Sequence, residues 1–375
     1  MSSYIHGVGT TSFGKQPDRS AIELGWEAVD RALRDANLEP KEVDAVFAAT
    51  VFGETGTAQR ILKGLALAGL PVVTIENACA SGTSAFHEAR VAVESGRFDT
   101  VLALGFETMT ARFDTAIEPS GSDAEGRQAF GMPAIYGMSA ARYQHEFGLT
   151  SRQLALVSVK NHRHGLLNPL AQHKRAVSVE EVLSSRMISD PLTLLQCCSL
   201  ADAASAAIVG VDRRCARDIR IRSSALNSGA IWGSGNQKVW GWDIVHDTAC
   251  IAYEQANLGP DEIDLLEVHD AFTIGEIVTT EALGLCGLGD GGRLVELGHT
   301  ELGGRQPVNP SGGLLARGHP LGATGLAQIA EIVCQLRGEA LERQVPDARI
   351  GLVETMGGGT AGIDGNACVV TVLGN

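Results

Sequence analysis

The sequence predicts an α/β protein built from two copies of one unit, with a loop region inserted in the first. Strand-like apolar runs alternate with amphipathic helical ones, the pattern of a sheet covered on both faces. Segments also recur in order. Ala36-Asn37-Leu38-Glu39-Pro40-Lys41-Glu42-Val43-Asp44 returns as Ala256-Asn257-Leu258-Gly259-Pro260-Asp261-Glu262-Ile263-Asp264, and Glu107-Thr108-Met109 returns as Glu354-Thr355-Met356. Between these, a small-residue turn at Cys79 that opens a helix is matched by Gly318-His319-Pro320-Leu321-Gly322-Ala323-Thr324-Gly325.

Each element has its local reason. Tyr4–Val8 is a strand at the N-terminus, and Ala21–Ala36 carries apolar residues at helical spacing before the stop Asn37-Leu38-Glu39-Pro40. Val43–Ala49 is a buried strand, and Gln59–Gly69 a short helix. Val72–Ile75 is a β-branched run leading into the Cys79 turn, and a helix follows through Phe86, Ala89, Val91 and Val93 to Gly96. Thr100–Phe106 is another buried strand, and the alternation predicts a mostly parallel sheet. From about Arg112 to Ser199 polar, glycine and proline residues increase, with helical pieces at Ala134–Phe147 and Arg152–His162. The expected division is therefore 1–111 plus 200–215 for the first half, 112–199 for the loop domain and 216–375 for the second half.

Composition limits the function. With 375 residues, 44% hydrophobic and 20% charged, the chain has globular proportions. A net charge of −14 argues against a nucleic-acid partner, whose binding begins with a basic face. No apolar run reaches the roughly 18 residues of a membrane span, and the N-terminus reads as a strand rather than a signal peptide. The 8 cysteines lack CxxC spacing, which predicts a reducing cytoplasm and no metal site. The dense basic stretches are Lys160–His164, including Arg163 and His164, and His173–Arg175. They read either as a solvated helix face or as contacts to an anionic substrate.

Cys79 reads either as a core cysteine at a strand end or as a nucleophile at a helix start, where the dipole and free N–H groups favour thiolate. A helix terminus supplies roughly 0.3–1 kcal/mol, less than the ~2 kcal/mol needed for half ionisation near neutral pH. A histidine base closes that gap. His319, in a turn with glycine, proline and threonine around it, and His269, at the end of a buried strand, are the candidates. In a duplicated α/β body, both turns reach one site at the carboxyl ends of the strands.

Four motifs, Asn77–Gly82, His269-Asp270-Ala271-Phe272, Asn309–Gly313 with Gly318–Gly325, and Met356–Gly359, together resemble the active-site motifs of the thiolase family. The His-Asp start of the second, Val159–Pro169 and Glu281–Cys286 are similar to the sterol-carrier-protein type. The resemblance implies a duplicated thiolase fold of two βαβαβαββ halves in five layers, α-β-α-β-α. It also implies coenzyme A thioester substrates with no bound cofactor, and a homodimer or tetramer. Some relatives act with a small zinc-ribbon and OB-fold partner. By resemblance Cys79 accepts the acyl group, His319 is its base, and His319 with His269 polarises the thioester oxygen. The N–H groups of Cys79 and Gly357 hold the oxyanion, and Ser311 and Gly312 join Arg163 and His164 in contacting the substrate. The implied activity is acyl-CoA C-acyltransfer, Claisen condensation or thiolysis. The alternative is a retro-aldol lyase acting on a β-hydroxyacyl-CoA. Two positions depart from the family: Thr355 and Ala271 stand where a second, proton-carrying cysteine is usual. Rapid acylation of Cys79 and slow carbon–carbon chemistry are therefore expected.

Overall fold

The computed structural model describes residues 2–114, 117, 119–124, 126–128, 131–233 and 235–375, so parts of the expected 112–199 loop domain lie outside the described residues. The first half runs β1 (Ser3–Thr10), α1 (Ala21–Ala36), β2 (Ala45–Ala49), α2 (Thr57–Gly64), β3 (Val72–Ile75), α3 (Ser81–Glu94) and β4 (Thr100–Thr108). The inserted region carries α4 (Met132–Phe147), α5 (Ser151–Leu166), α6 (Val179–Ser184) and a hairpin of β5 (Met187–Ser189) with β6 (Leu192–Thr193). β7 (Asp202–Gly210) returns to the main sheet. The second half follows as β8 (Ile219–Asn227), α7 (Trp242–Ala256), β9 (Leu265–Glu267), α8 (Thr273–Ala282), α9 (Gly291–Glu296), α10 (Gly313–Arg317), α11 (Leu321–Arg337), β10 (Ile350–Gly357) and β11 (Ala367–Gly374).

The strands hydrogen-bond in the order β3-β2-β4-β7-β1-β8-β11-β10-β9, and the halves join where Ser3–Ile5 pairs with Ile219–Ile221. Val308 adds a parallel bridge beside β9. Counting that bridge as a third strand, each half reads third-second-fourth-fifth-first, so the repeated sequence segments mark a repeated topology. The sheet is mixed rather than mostly parallel: β1–β7, β4–β7, β1–β8, β8–β11 and β10–β11 are antiparallel. The last strand of each half lies directly beside the fourth and runs back along it, a pairing that alternation alone does not reveal.

The repeated segments fold alike for local reasons. α1 and α7 both end on an asparagine in the left-handed region, Asn37 (φ 51°) and Asn257 (φ 52°). The carboxylate of Asp44 then accepts from the N–H groups of Asp99 and Thr100, and that of Asp264 from Arg349 and Ile350, all at 2.8–3.0 Å. Each aspartate thus clamps the start of its second strand to the start of its fourth.

Three apolar cores set the layering. One lies between α1, α2 and the outer face of the first half-sheet, with Leu24, Val29, Ile61 and Leu104. A second joins α3 (Phe86, Val93) and α11 (Leu326, Ile329, Val333) to strands of both halves. The third covers the outer face of the second half with α7, α8 and the inserted helices α4 and α5. The result is α-β-α-β-α, with α3 and α11 in the middle layer.

Candidate active site

Cys79 occupies a tight turn between β3 and α3. Ala78 before it has φ 48°, a left-handed conformation that a residue with a side chain adopts only when its surroundings hold it. Those surroundings are specific. Ala78 N–H donates to Glu76 Oε1 at 2.7 Å, Asn77 N–H to Ser81 Oγ at 2.8 Å, and Ser81 Oγ to the Ala78 carbonyl at 2.6 Å. The turn is thus locked by its own side chains.

The middle-layer helices deliver the second component. Their backbones touch at glycines: a Cβ at Gly82 would lie 2.7 Å from the Gly322 carbonyl, and one at Gly325 2.6 Å from Thr83 N. This close approach brings the N-terminal ends of α3 and α11 together, and with them Cys79 and His319. Glu107 at the end of β4 accepts from Gly322 N–H at 3.1 Å and from Val51 and Phe52 N–H, tying α11 to the first half. Its counterpart Glu354 in β10 accepts from His269 N–H at 2.9 Å. The echo of Glu107 and Glu354, which the sequence displays without explaining, is a pair of buried backbone anchors.

One ligating atom each of Cys79, His269 and His319 lies within 4.8 Å of the others, and the imidazoles meet edge to face with ring centres 5.1 Å apart. Among the described residues this is the one grouping whose donors could reach a common metal ion. Its hydrogen bonding suits proton transfer. Thr324 Oγ1 gives its hydrogen to the Pro320 carbonyl at 2.9 Å, so it accepts from His319 Nδ1 at 2.8 Å. This assignment leaves Nε2 of His319 as the free acceptor. His269 Nδ1 is buried without a partner.

Burial pushes the Cys79 thiol up to about 12, opposed by the N–H groups of Gly358 and of Cys79 itself and reinforced by Glu107 and Glu76. Burial, with the Arg317 guanidinium, lowers His269 to about 3. His319 is held well below its usual value by burial, His269 and Arg317. The expected acidification at the helix start is therefore overridden by desolvation, and the resting state is a neutral thiol beside neutral imidazoles.

The remaining expected residues are placed elsewhere. Gly357 packs against the Cys79 turn, where a Cβ would lie 2.2 Å from the Asn77 carbonyl, and the backbone of Gly358 acts to lower the Cys79 thiol. Most of the basic stretch in α5 is core rather than solvated face. Lys160 is buried against Glu276 at 2.9 Å, and Asn161 bonds Asp270 and Glu276. His164 has both ring nitrogens engaged, by the Asn309 carbonyl and by Leu302 N–H. Arg163 is exposed and pairs with Glu301. Ser311 binds the buried carboxylate of Glu267 through its N–H and hydroxyl, and Gly312 lies against the Gly165 backbone. The structure does not gather these four with Cys79. Asp270, from the second motif, instead accepts from Leu314 and Leu315 N–H and so fixes the start of α10. Thr355 is committed to Gln328 Oε1 at 2.6 Å.

Comparison with known proteins agrees with this construction. Residues 4–211 match the family model "Thiolase, N-terminal domain" and residues 236–373 "Thiolase C-terminal domain-like". The chain is 41% identical over 374 residues to an acetyl-CoA acetyltransferase of Methanothermobacter thermautotrophicus, covering 96% of this chain and 97% of that protein. It is 36% identical over 382 residues to sterol carrier protein 2 of Bos taurus, covering 96% of this chain and 70% of that protein. A solved structure titled "Ltp2-ChsH2(DUF35) aldolase" superposes with a TM-score of 0.87 at 27% identity, covering 100% of this chain and 97% of that one. With both halves matched in sequence and the duplicated topology in place, the chain belongs to the thiolase family.

Proposed function

We propose that the protein is an acyl-CoA C-acyltransferase in which Cys79 takes an acyl group from a thioester and passes it to a carbon nucleophile or, in reverse, to coenzyme A. The observation that carries this reading is the gathering of Cys79, His269 and His319 within 4.8 Å, with one imidazole acceptor unoccupied. The thiol, neutral at rest, gives its proton to Nε2 of His319 as sulfur attacks the thioester carbonyl. The N–H groups of Cys79 and Gly357 stabilise the developing oxyanion, and His269 donates to the oxygen of the incoming acyl-CoA. Tyr136, Trp240, Ile274, Val278 and Met356 line a small recess beside His269.

The likeness to a structure titled as an aldolase favours a second reading, retro-aldol cleavage of a β-hydroxyacyl-CoA without a covalent intermediate. Intact-protein mass spectrometry after mixing with acyl-CoAs separates the two. Acyltransfer leaves an acyl mass on the peptide carrying Cys79, absent in Cys79→Ala. Cleavage of a hydroxyacyl-CoA that leaves no adduct and survives Cys79→Ala establishes the lyase instead.

The same reading extends to assembly. β3 is an edge strand with Val73 46% exposed, the kind of edge that pairs with a second copy, which supports a homodimer. A small zinc-ribbon and OB-fold partner is proposed by analogy with the DUF35 component named in the related structure. All 8 cysteines are free, which suits a reducing cytoplasm, and among the described residues no helix is long and apolar enough to cross a membrane.

A further inference from the structure

Carbon–carbon cleavage leaves a carbanion that must take a proton, and His319, which holds the Cys79 proton for return to that sulfur, leaves this one to another group. Thr355 donates to Gln328, Ala271 has no proton to give, and His269, lowered to about 3, is a neutral imidazole at pH 7. Neutral imidazole is a poor acid. The loop between β6 and β7 brings another candidate. Cys197 forms an antiparallel bridge with Phe272, Cys198 N–H donates to the Ala271 carbonyl at 2.8 Å, and His319 N–H donates to the Ser199 carbonyl at 3.1 Å. Residues 197–199 are thus threaded between the segments that carry the two active-site histidines. The Cys197 thiol is taken up by the Thr193 carbonyl at 3.3 Å. The Cys198 thiol is pushed well up by burial, opposed by its own backbone N–H. Charge on Cys79 acts on Cys198, and both act on the Tyr136 phenol, while the backbone pairing of 197–199 sets Cys198 beside the segments of His319 and of His269, whose Nδ1 is unpartnered.

We propose that Cys198, from the inserted region, is the second catalytic cysteine and carries the α-proton. This inference rests on the acyltransferase reading. In thiolysis Cys79 gives its proton to His319 and its sulfur attacks the β-keto carbon. The bond between that carbon and Cα breaks, Cα takes the proton of Cys198, and acyl-Cys79 remains with a Cys198 thiolate and a protonated His319. Incoming coenzyme A returns a proton to Cys198, its sulfur attacks the acyl-enzyme, and Cys79 leaves with the proton from His319. Condensation is the reverse. A thiol kept neutral by burial suits the role, because it enters the cycle as a donor.

The test uses the full-length protein with Cys198→Ala and Cys198→Ser. Acyl loading of Cys79 from acetyl-CoA is read by mass, and α-proton transfer by deuterium uptake into acetyl-CoA in D2O and by acetoacetyl-CoA thiolysis. Loading also draws a proton from Cys198 for the departing coenzyme A, so it is expected to slow yet still reach one acyl mass, with an unchanged denaturant midpoint reporting that the variants fold, while uptake and thiolysis fall by about 10²–10⁴. Ala271→Cys in the Cys198→Ala background restores both in part, by placing a thiol on the neighbouring segment. Intact loading with unchanged deuterium uptake overturns the proposal alone, and so does loss of uptake in Tyr136→Phe while Cys198→Ala retains it. If the unmodified protein does not load Cys79 at all, the acyltransferase reading falls and the role of Cys198 with it.

Discussion

Replacing His319 with Gln tests the neutral resting state directly. With the Cys79 thiol pushed up to about 12, only about one molecule in 10⁵ carries thiolate at pH 7. The base must therefore remove the proton during attack, and such help is worth about 10²–10⁴ in rate. His319→Gln should slow acyl loading by that factor at pH 7. The two proteins should also differ in pH dependence. In the unmodified protein His319 stays an acceptor from well below pH 6.5 upward, so loading should be flat between about pH 6.5 and 9. In the variant, loading depends on the scarce thiolate and should rise about tenfold per pH unit toward 11. Quenched-flow loading followed by intact mass gives both profiles. An acid limb centred near 6.5 in the unmodified protein, or a variant rate that does not respond to pH, refutes the neutral-pair account.

Three further outcomes follow from the geometry. His269→Ala should lower turnover by about 10²–10³, the usual loss for one oxyanion donor, while His269→Asn, which keeps a donor, should retain more; equal steady-state rates would remove His269 from that role. Gly357→Ala sets a Cβ 2.2 Å from the Asn77 carbonyl, so it should lose about 1–3 kcal/mol in denaturant unfolding and load Cys79 at least about tenfold more slowly. Burial raises Glu354 from 4.5 to about 7, so its contribution is fully present below pH 4.5 and lost as pH rises toward 7. Glu354→Gln, which can still accept from His269 N–H, should therefore gain on the unmodified protein by about 3 kcal/mol between pH 4.5 and 7.5 in pH-resolved unfolding.

Much of the fold could be read from local pattern, because its signals are local. Ala21–Ala36 is a helix over the expected range, and its cap is written in Ser20, Glu23 and Asn37. The turn at Cys79 and the turn before α11 are marked by small residues that the crossing of two backbones requires. What could not be read depends on partners distant in sequence. Lys160 finds Glu276 and His164 finds Asn309, each more than a hundred residues away, so a stretch that looks like surface charge is core. Antiparallel β10–β11 pairing is likewise invisible to alternation. The elevated thiol of Cys79 is a property of enclosure, which no spacing encodes. The same holds for Cys198, which nothing in its neighbouring residues distinguishes and whose placement depends on Ala271 and His319.

The middle layer has a consequence for how the chain is made. α3 packs against α11, yet the two are separated by more than two hundred residues of sequence, and both belong to a core containing strands of each half. During synthesis the first half leaves the ribosome with Phe86, Ala89 and Val93 lacking their cover, at roughly 5–20 residues per second, until α11 arrives. The nascent first half therefore carries an apolar face for on the order of ten seconds or more, a natural target for chaperones. On the proposed mechanism it should also be inert in that interval, since Cys79 meets His319 only when α11 docks. A fragment ending before α11 should accordingly be both aggregation-prone and chemically silent, so that premature termination yields no stray thioesterase.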